Sequence, residues 1–379
     1  MKTARFQWGE PPWPRQQEFG FGSNHSAQGK PDVAIIGGGL TGTSTALRLA
    51  RRGIRAVVYE AGLVADGASG RTGGLVLEGT AVGPLAEVEN CLVGLERVVA
   101  EERIDCDLLL PGCWEIQHRT AASEKMLPWT DSGRPVSITK EVAGGVVQPA
   151  ALTSGLARAA TRAGAIILEN APVNRISLEP ELALETGGER ITPGYVIIAT
   201  NAWINATLGD TPPLSSSLTF ACASEPLEAS ALNAIGLGEG IPFYTTDLPY
   251  LWGRTTTDGR VIFGAGLVFG EPSDLENANV REGASAAVLE RMLGRVRGLH
   301  PRLAEVQFSA VWGGPIAFAD DSVPLLGAHP RHPRVLVSGG YAGHGVALSV
   351  RAGELLALAI ADHRPLPQWG SLTRSGPLR

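Results

Sequence analysis

Three glycines spaced as GxGxxG occur early in the chain, at Gly37, Gly39 and Gly42. Gly37 permits a tight turn, Gly39 lets a pyrophosphate approach the main chain, and Gly42 lets a helix pack closely on a strand. A helix that begins at Leu40 then offers free N–H groups and the positive end of its dipole to the pyrophosphate. Glu60, 23 residues after Gly37, can accept a hydrogen bond from a ribose hydroxyl. The spacing therefore predicts a dinucleotide site, and the acid favours NAD or FAD over a cofactor with a 2′-phosphate.

The elements around these glycines follow one another in the order that such a site requires. Residues 33–36 are apolar and rich in branched side chains, which is typical of a buried parallel strand. Residues 40–52 have apolar side chains at helical spacing, and residues 55–59 form a second apolar run. This order predicts an α/β fold with a parallel sheet. An ordinary glycine-rich turn between a strand and a helix is the alternative.

A second glycine-rich run follows Glu60 directly, at residues 61–74. It is too irregular for a helix or a strand, and its glycines would let the main chain wrap closely around a ligand. Arg71 could supply positive charge to a phosphate. Because the run comes after the predicted ribose-binding acid, we expect a cofactor-wrapping loop. A flexible surface loop is the alternative.

A third glycine-rich turn lies near the C-terminus. Residues 335–338 form an apolar strand, residues 339–346 form the turn, and a helix is predicted from about 347 to 362. A glycine turn at a helix N-terminus again creates a site for partial negative charge. His344 lies inside this turn, so we expect it next to the bound ligand.

Size, composition and charge exclude several classes of protein. Of the 379 residues 44% are hydrophobic and 18% charged, so the chain can form a large core and two domains. A net charge of −6 gives no reason to expect nucleic acid or an anionic membrane as a partner. No apolar run reaches about 20 residues, so we expect no membrane span. The four cysteines and seven histidines show no metal-ligand spacing, which predicts no metal, buried thiols and a cytoplasmic location.

The rest of the chain divides between the cofactor region and an inserted region. Helices are predicted at 85–102, 152–163 and 283–299, and strands at 165–168, 173–176, 195–203, 219–222, 250–254 and 260–267. The expected domains are a dinucleotide-binding, Rossmann-like domain of residues 31–90, 143–205 and 310–379, and an α+β substrate domain on an antiparallel sheet, of residues 91–142 and 206–309. Residues 1–30 contain Phe6, Trp8, Trp13, Phe19 and Phe21. They form either an arm that packs on the body or a partly disordered leader.

The run Ala68-Ser69-Gly70-Arg71-Thr72-Gly73-Gly74, behind GxGxxG and Glu60, resembles the FAD-dependent amine and amino-acid oxidoreductases of the D-amino-acid oxidase superfamily. Many amine-oxidising members have Asn where this chain has Thr72, which keeps a hydrogen-bonding side chain. The resemblance covers residues 32 to about 362 and implies a FAD-binding Rossmann-like domain. It adds the following predicted FAD contacts: Thr41, Ala61, Ser69, Thr72, Gly73, Gly74, Val173 at the adenine, Ala199, Thr200 and Trp203 beside the diphosphate, and Gly340, Gly343, His344, Gly345 and Val346 around the flavin ring.

The resemblance also implies a reaction. A hydride would pass from the carbon next to an amine nitrogen to flavin N5, and the imine product would be hydrolysed. Oxygen would reoxidise the flavin and yield hydrogen peroxide. Two alternatives stay open, a flavin dehydrogenase that uses a quinone or a protein as acceptor, and a non-catalytic FAD-binding protein. Some relatives tether the flavin to a cysteine near the C-terminal turn, but no cysteine follows Cys222, which predicts non-covalent FAD.

One position departs from the pattern of relatives that oxidise amino acids. Such relatives often have an arginine four residues after the tryptophan that matches Trp312, and this arginine binds the substrate carboxylate. Ile316 occupies that position here, and an isoleucine cannot pair with a carboxylate. The departure favours a small-molecule amine as substrate, as in the γ-glutamylputrescine oxidase-like branch.

Candidate catalytic residues come from the strand at 250–254 and from the cofactor turns. Arg254 could form another anion site with Tyr250 or Trp252, and a structural role for Arg254 is the alternative. Trp312 and His344 complete the predicted catalytic set.

Overall fold

Short apolar strands and helices alternate along the first half of the chain, and longer antiparallel strands follow them. The computed structural model describes residues 6–13, 30–119, 125–208, 214–247 and 249–374. Within these residues the strands are β1 Val33–Ile36, β2 Ala56–Tyr59, β3 Leu75–Leu77, β4 Cys113–His118, β5 Lys125–Asp131, β6 Arg134–Val142, β7 Gly144–Val146, β8 Ile166–Leu168, β9 Val173–Ser177, β10 Ala183–Thr186, β11 Glu189–Ile191, β12 Tyr195–Ile198, β13 Leu214–Ser224, β14 Phe243–Thr245, β15 Leu251–Thr255, β16 Val261–Phe269, β17 Phe308–Ala319, β18 Leu325–His329 and β19 His332–Gly339. The α-helices are α1 Leu40–Ala50, α2 Ala68–Arg71, α3 Cys91–Glu102, α4 Pro149–Arg162, α5 Ile204–Leu208, α6 Ala229–Ala234, α7 Pro272–Asn277, α8 Gly283–Leu299, α9 Pro301–Glu305 and α10 Gly345–Ala361.

A six-stranded sheet in the order β18-β19-β12-β1-β2-β8 carries two of the glycine turns. β1 runs parallel to both neighbours, with Ile36 opposite Tyr59 of β2 and Ile198 of β12. Every residue of β1 is buried, as expected for a parallel strand covered on both faces. Helices α1, α4 and α10 share the core on one face, and the small sheet β11-β10-β9 packs on the other.

An eight-stranded sheet in the order β17-β13-β16-β15-β14-β4-β6-β5 forms the other main layer. β13 pairs antiparallel with β16 and β17, whereas β14 and β4 are parallel. Its core is rich in aromatic side chains, and the rings of Trp129 and Phe243 meet edge to face with centroids 4.8 Å apart. The eight-stranded sheet therefore packs against α8 in a shared hydrophobic core.

The α/β fold class with a parallel sheet and an antiparallel, α+β part is confirmed. The helix predicted from residue 85 begins later, at Cys91, because residues 86–90 form turns. The helix predicted from residue 152 begins earlier, at Pro149. Proline suits the first helical position, and the Gln148 side chain caps the helix by accepting a hydrogen bond from Ala151 N at 2.8 Å. The strand predicted at 195–203 ends at Ile198, and a 3₁₀ turn follows it.

The predicted domain limits stay a prediction, and the limit at residue 310 falls inside β17, a strand of the eight-stranded sheet. Of the predicted N-terminal arm, Phe19 and Phe21 lie outside the described residues. Trp8 is completely buried, stacks on Phe6 with centroids 3.9 Å apart, and donates Nε1–H to the Leu275 carbonyl at 2.6 Å. The described part of the arm, residues 6–13, therefore packs on the body.

Candidate active site

Two glycine turns from opposite ends of the chain meet at one cavity. Gly39 before α1 and Gly343 before α10 both line a cavity of about 840 Å³. Thr41 Oγ1 lies 2.7 Å from Tyr341 Oη, which lies 2.8 Å from Ser338 Oγ. These buried hydrogen bonds hold the two turns in a fixed relation.

Each turn leads into a helix whose N-cap residue does not itself cap the helix. Gly39, the N-cap residue of α1, has no side chain, and the side chain of His344, the N-cap residue of α10, accepts no capping hydrogen bond; in α1 only Leu40 N has a side-chain partner, Ser69 Oγ. The first N–H groups of a helix have no partner inside the helix, and the helix dipole favours negative charge beside them. The main chain thus brings two regions of partial positive charge to the same cavity.

The turn before α1 tolerates only glycine at two of its positions. Gly37 has φ +107°, a conformation that other residues rarely adopt. A Cβ atom on Gly42 would lie 2.0 Å from the Gly37 carbonyl oxygen, far inside contact distance. The close approach of helix and strand that the GxGxxG spacing predicts is therefore present.

Glu60 directly follows β2 and binds the main chain of the turn before α1. Its carboxylate accepts hydrogen bonds from Gly38 N at 2.6 Å and Gly62 N at 2.8 Å. Burial raises the pKa of this carboxyl above its ordinary value, and the two N–H groups partly offset that rise. A carboxylate has about four acceptor positions, so the group can still accept a ribose hydroxyl.

The glycine-rich run after Glu60 forms one side of the cavity. Ser69 Oγ accepts a hydrogen bond from Leu40 N at 3.0 Å, which ties the run to the start of α1. A Cβ atom on Gly73 would lie 2.0 Å from the indole ring of Trp252, so this glycine lets the tryptophan pack against the run. Trp312 Nε1–H donates to the Arg71 carbonyl at 2.8 Å. The run therefore joins the parallel sheet to the eight-stranded sheet.

Arg71 has a structural role besides the predicted one. Its Nη1–H donates to the Gly9 carbonyl at 2.8 Å, its Nε–H donates to the Asp66 carbonyl at 3.0 Å, and its guanidinium lies 5.5 Å from the ring centre of Trp8. The guanidinium is thus engaged with main-chain carbonyls and with the N-terminal arm. That its charge also serves a phosphate stays a prediction, since Arg71 lines the cavity.

Most of the predicted site residues line the cavity. Those that do so are Gly39, Leu40, Thr41, Ser69, Arg71, Thr72, Gly73, Ala199, Tyr250, Trp252, Trp312, Gly343, His344, Gly345 and Val346. A second group belongs to the turns and strands behind the cavity wall and does not line it: Gly37, Gly42, Glu60, Ala61, Gly74, Thr200 and Gly340. Two stretches that are far apart in sequence, 39–73 and 343–346, are therefore brought together.

Three predicted residues lie elsewhere. Arg254 is 3% exposed and does not line the cavity, so it forms no anion site there with Tyr250 or Trp252. Burial lowers its pKa to about 10. Val173 pairs with Thr186 in the small three-stranded sheet. Trp203 packs near Phe6 and Trp8, and its Nε1–H donates to Glu276 at 2.5 Å.

The cavity also contains polar side chains that the sequence did not single out. They are Glu78, Glu115, Lys140, Thr219 and Tyr244. Glu115 lies on β4 between the buried residues Trp114 and Ile116, and because alternate strand residues face opposite sides, this pattern does not distinguish it from a solvent-facing residue. The other residues lack a spacing that could have linked them, since they come from separate strands and loops.

His344 is a neutral imidazole near pH 7, because burial lowers its pKa from the ordinary value of 6.5. Its Nδ1 lies 3.4 Å from the Ala342 carbonyl. A carbonyl only accepts, so this contact places the proton on Nδ1 and leaves Nε2 as an acceptor.

Comparison with known proteins decides the family. The family model described as FAD dependent oxidoreductase, DAO, matches residues 32–359. The chain belongs to this family. It is therefore an FAD-dependent oxidoreductase. A gamma-glutamylputrescine oxidoreductase of Escherichia coli is 27% identical over 370 residues, covering 86% of this chain and 82% of that protein. A glycine oxidase of Geobacillus kaustophilus is 27% identical over 363 residues, covering 86% and 92%.

Solved structures of such enzymes have the same fold. Glycine oxidase from Geobacillus kaustophilus superposes with a TM-score of 0.72 at 21% identity, covering 91% of this chain and 99% of that chain. L-proline dehydrogenase from P. horikoshii superposes with the same TM-score at 19% identity, covering 88% and 94%. The residues of this chain fit FAD, because two helix N-termini, a glycine cradle and an acid with free acceptor positions suit its pyrophosphate, ribose and flavin.

The described residues contain neither a membrane-spanning helix nor a metal-binding cluster. No helix among them is long and apolar enough to cross a bilayer. They also contain no group of three or more histidine, cysteine, aspartate or glutamate side chains placed to bind a metal. Cys91, Cys106, Cys113 and Cys222 are buried free thiols.

Proposed function

We propose that this enzyme oxidises the C–N bond of an amine that bears no carboxylate on the reacting carbon. The single observation that supports this is Ile316, which lines the cavity with its Cδ1 atom 3.7 Å from the Cβ position of Gly343. An apolar side chain thus lies next to the turn where related enzymes would place an arginine. The E. coli relative is named for an amine substrate, which agrees with this proposal.

The charges of the cavity point the same way. The cationic side chains that line it within the described residues are Arg71, which is engaged with carbonyls, and Lys140, whose side chain is 64% exposed. A carboxylate on the reacting carbon would therefore lose water without gaining a paired cation, which is unfavourable in a partly enclosed site. An amine without a carboxylate avoids this loss.

FAD, when bound, accepts a hydride from the carbon next to the amine nitrogen. We propose that the turn before α1, Glu60 and the turn at 340–346 hold it without a covalent bond. Trp252, Trp312 and Tyr250 line the cavity and would exclude water from the reacting carbon. The Nε2 atom of His344 would accept the proton of the substrate ammonium, so that the amine reacts in its uncharged form.

Ile316→Arg tests the substrate class. The variant should gain activity on glycine and sarcosine, with KM at least about 10-fold lower than in the wild type, because one charge-assisted pair stabilises by roughly 1.5–3 kcal/mol. It should lose activity on a simple alkylamine. Ile316→Leu, which keeps size and polarity, serves as the matched control. Equal activity of the wild type on glycine and on alkylamines would contradict the proposal.

We further propose that oxygen is the electron acceptor, with hydrogen peroxide as product. The enzyme reduced by its amine in the absence of oxygen should regain its flavin colour on mixing with aerated buffer, with one peroxide formed for each flavin. Recovery of colour only after addition of a quinone would show a dehydrogenase instead.

A further inference from the structure

The cavity wall contains the carboxylate of Glu115, on a strand of the eight-stranded sheet. Glu115 of β4 accepts a hydrogen bond from Tyr244 Oη of β14 at 2.7 Å. Glu115, Tyr244 and Lys140 all line the same cavity as the two glycine turns. The carboxylate is therefore part of the cavity wall and is held in place by a neighbouring strand.

The carboxylate of Glu115 has capacity for another partner. Tyr244 binds Oε1, and no other described side chain donates a hydrogen bond to this group. Lys140 Nζ lies 3.9 Å from Oε1, but its side chain is 64% exposed, and such exposed pairs contribute little. The Glu115 side chain is only 21% exposed, so its charge is partly removed from water, with the exposed Lys140 as its one ion-pair partner among the described residues. A cation that enters the cavity would meet an accessible, preorganised acceptor.

The hydrogen bond with Tyr244 supports this role. The phenol is half-buried, and both burial and the hydrogen bond to Glu115 raise the pKa of Tyr244. The phenol therefore stays protonated and keeps donating, and the carboxylate stays the acceptor. A donor on Oε1 leaves Oε2 available as an acceptor.

The other carboxylate that lines the cavity, that of Glu78, already accepts hydrogen bonds from the start of α3. Glu78 Oε1 accepts hydrogen bonds from Cys91 Sγ at 3.1 Å and Leu92 N at 3.3 Å, so it caps the first turn of α3. Of the two acidic side chains that line the cavity among the described residues, Glu115 is the one free of such a structural task.

The position of Glu115 sets the length of the ligand. β4 is two strands from β15, which carries Trp252, and five strands from β17, which carries Ile316. Neighbouring strands are about 4.8 Å apart, so these steps correspond to roughly 10 Å and at most roughly 24 Å along the sheet. A molecule that reacts beside the turn at 340–345 and also reaches Glu115 must therefore be elongated.

We infer that Glu115, positioned by Tyr244, binds a distal ammonium group of an elongated amine, so that the substrate class is an alkyl diamine or a polyamine derivative. This inference rests on the proposed oxidation of an amine and names the far end of its substrate. One nitrogen is oxidised near the flavin turn, and the other stays protonated beside Glu115. Lys140 lies 3.9 Å from Oε1, the oxygen that Tyr244 also binds, so Oε2 stays available to the ammonium group.

Matched substrates and variants test this assignment with the holoenzyme. 1,8-Diaminooctane, whose chain is long enough to cross the two strand spacings between β15 and β4, carries a distal ammonium, n-octylamine carries none, and N-acetyl-1,8-diaminooctane has the same chain with the charge removed. The wild type should have the lowest KM for the diamine. Glu115→Gln should raise the KM for the diamine by about 10-fold or more, the effect of losing one charge-assisted hydrogen bond, with kcat little changed. The KM values for the two singly charged amines should change less than about 3-fold.

Two further variants distinguish binding from structure. Tyr244→Phe should raise the diamine KM by a smaller factor than Glu115→Gln, because the carboxylate loses its positioning donor but keeps its charge. Glu78→Gln is the matched control, and it should affect all three amines alike. Bound flavin content checks that each variant is folded.

The outcomes separate the two proposals. Equal KM changes for the diamine and n-octylamine, or no change for the diamine in Glu115→Gln, would overturn the role of Glu115 while leaving amine oxidation intact. If none of the amines reduces the flavin of the wild type, the proposed function fails, and the inference fails with it.

Discussion

One wall of the cavity is made of main-chain turns, and the opposite wall is made of side chains that project from a sheet. The first wall consists of the turns at 37–42 and 340–345, joined by Thr41 and Tyr341. The second consists of residues from β4, β14 and β17 and from the segments beside them. The first can bind any ligand with the right phosphate and ring, whereas the second distinguishes one amine from another by charge and shape. A substitution should therefore affect cofactor retention on one wall and substrate choice on the other.

The largest effect is expected at Gly42, which supports the main-chain wall without lining the cavity. A Cβ atom there would lie 2.0 Å from the Gly37 carbonyl oxygen, so Gly42→Ala must separate α1 from β1. We expect a loss of more than about 5 kcal/mol in the free energy of unfolding and little bound FAD. Absorbance of the purified protein gives the ratio of flavin to protein.

Gly94→Ala is the matched control for this change. Gly94 lies inside α3, and a Cβ atom there meets no heavy atom within 4 Å. The control should be unchanged or more stable by up to about 1 kcal/mol. Full flavin content in Gly42→Ala would disprove the idea that the wall depends on main-chain contact.

The next effect is expected at Trp8, in the N-terminal arm that packs on the body. Trp8 is fully buried, and the guanidinium of Arg71 lies over its ring. Trp8→Ala should lower the free energy of unfolding by about 3–5 kcal/mol, measured by denaturant titration of the holoenzyme. Trp8→Phe keeps a ring and loses the hydrogen bond to Leu275, so it should lose less. A change below about 1 kcal/mol for Trp8→Ala would show that the arm merely lies on the surface.

A smaller effect is expected at Asp321, away from both walls. Arg374 binds both carboxylate oxygens, at 2.7 and 3.0 Å, and lowers the pKa of Asp321 below its ordinary value of 3.8. This interaction therefore stabilises the protein above pH 3.8 and is lost as the pH falls through the lowered pKa. Asp321→Asn should lower stability by about 1–2 kcal/mol at pH 7 and flatten the acid limb of the stability curve.

The exposed neighbour gives the control for that change. Asp320→Asn should leave the curve as in the wild type. Neither variant should alter flavin content or the order of preferred amines, since neither residue lines the cavity. A change in amine preference in Asp321→Asn would mean that the two walls are coupled through the C-terminal segment.

The smallest effect on stability is expected at Tyr250, in the side-chain wall. Its Oη lies 2.8 Å from Thr219 Oγ1, and burial raises its pKa, so the phenol stays protonated at neutral pH. Tyr250→Phe should change the free energy of unfolding by at most about 1 kcal/mol and leave flavin content intact. Flavin reduction by amines under anaerobic conditions should slow up to about 10-fold. Loss of flavin in this variant would remove the distinction between the walls.

The main-chain wall of the cavity could be predicted from the sequence. The glycine turn at 37–42, Glu60 and the turn at 340–345 are local patterns, because the main-chain conformation there demands glycine in a short stretch. The helix α8 and the buried strands β1 and β2 could likewise be predicted from apolar periodicity.

The substrate side could not be predicted in the same way. Glu115 and Tyr244 are 129 residues apart and meet only because β4 and β14 are neighbours. Arg254 was predicted to form an anion site with Tyr250 or Trp252, but it is 3% exposed and does not line the cavity. Strand pairing over long separations sets these positions, and no single stretch of sequence records it.

Reduction of the bound flavin in the absence of oxygen tests the central claim most directly. The holoenzyme is mixed with n-butylamine, with 1,4-diaminobutane, and with glycine, sarcosine and D- and L-alanine at equal concentration. The visible flavin bands are followed. Amines without a carboxylate should bleach the flavin, and the amino acids should leave it oxidised. Bleaching by the amino acids and not by the amines would contradict the central claim.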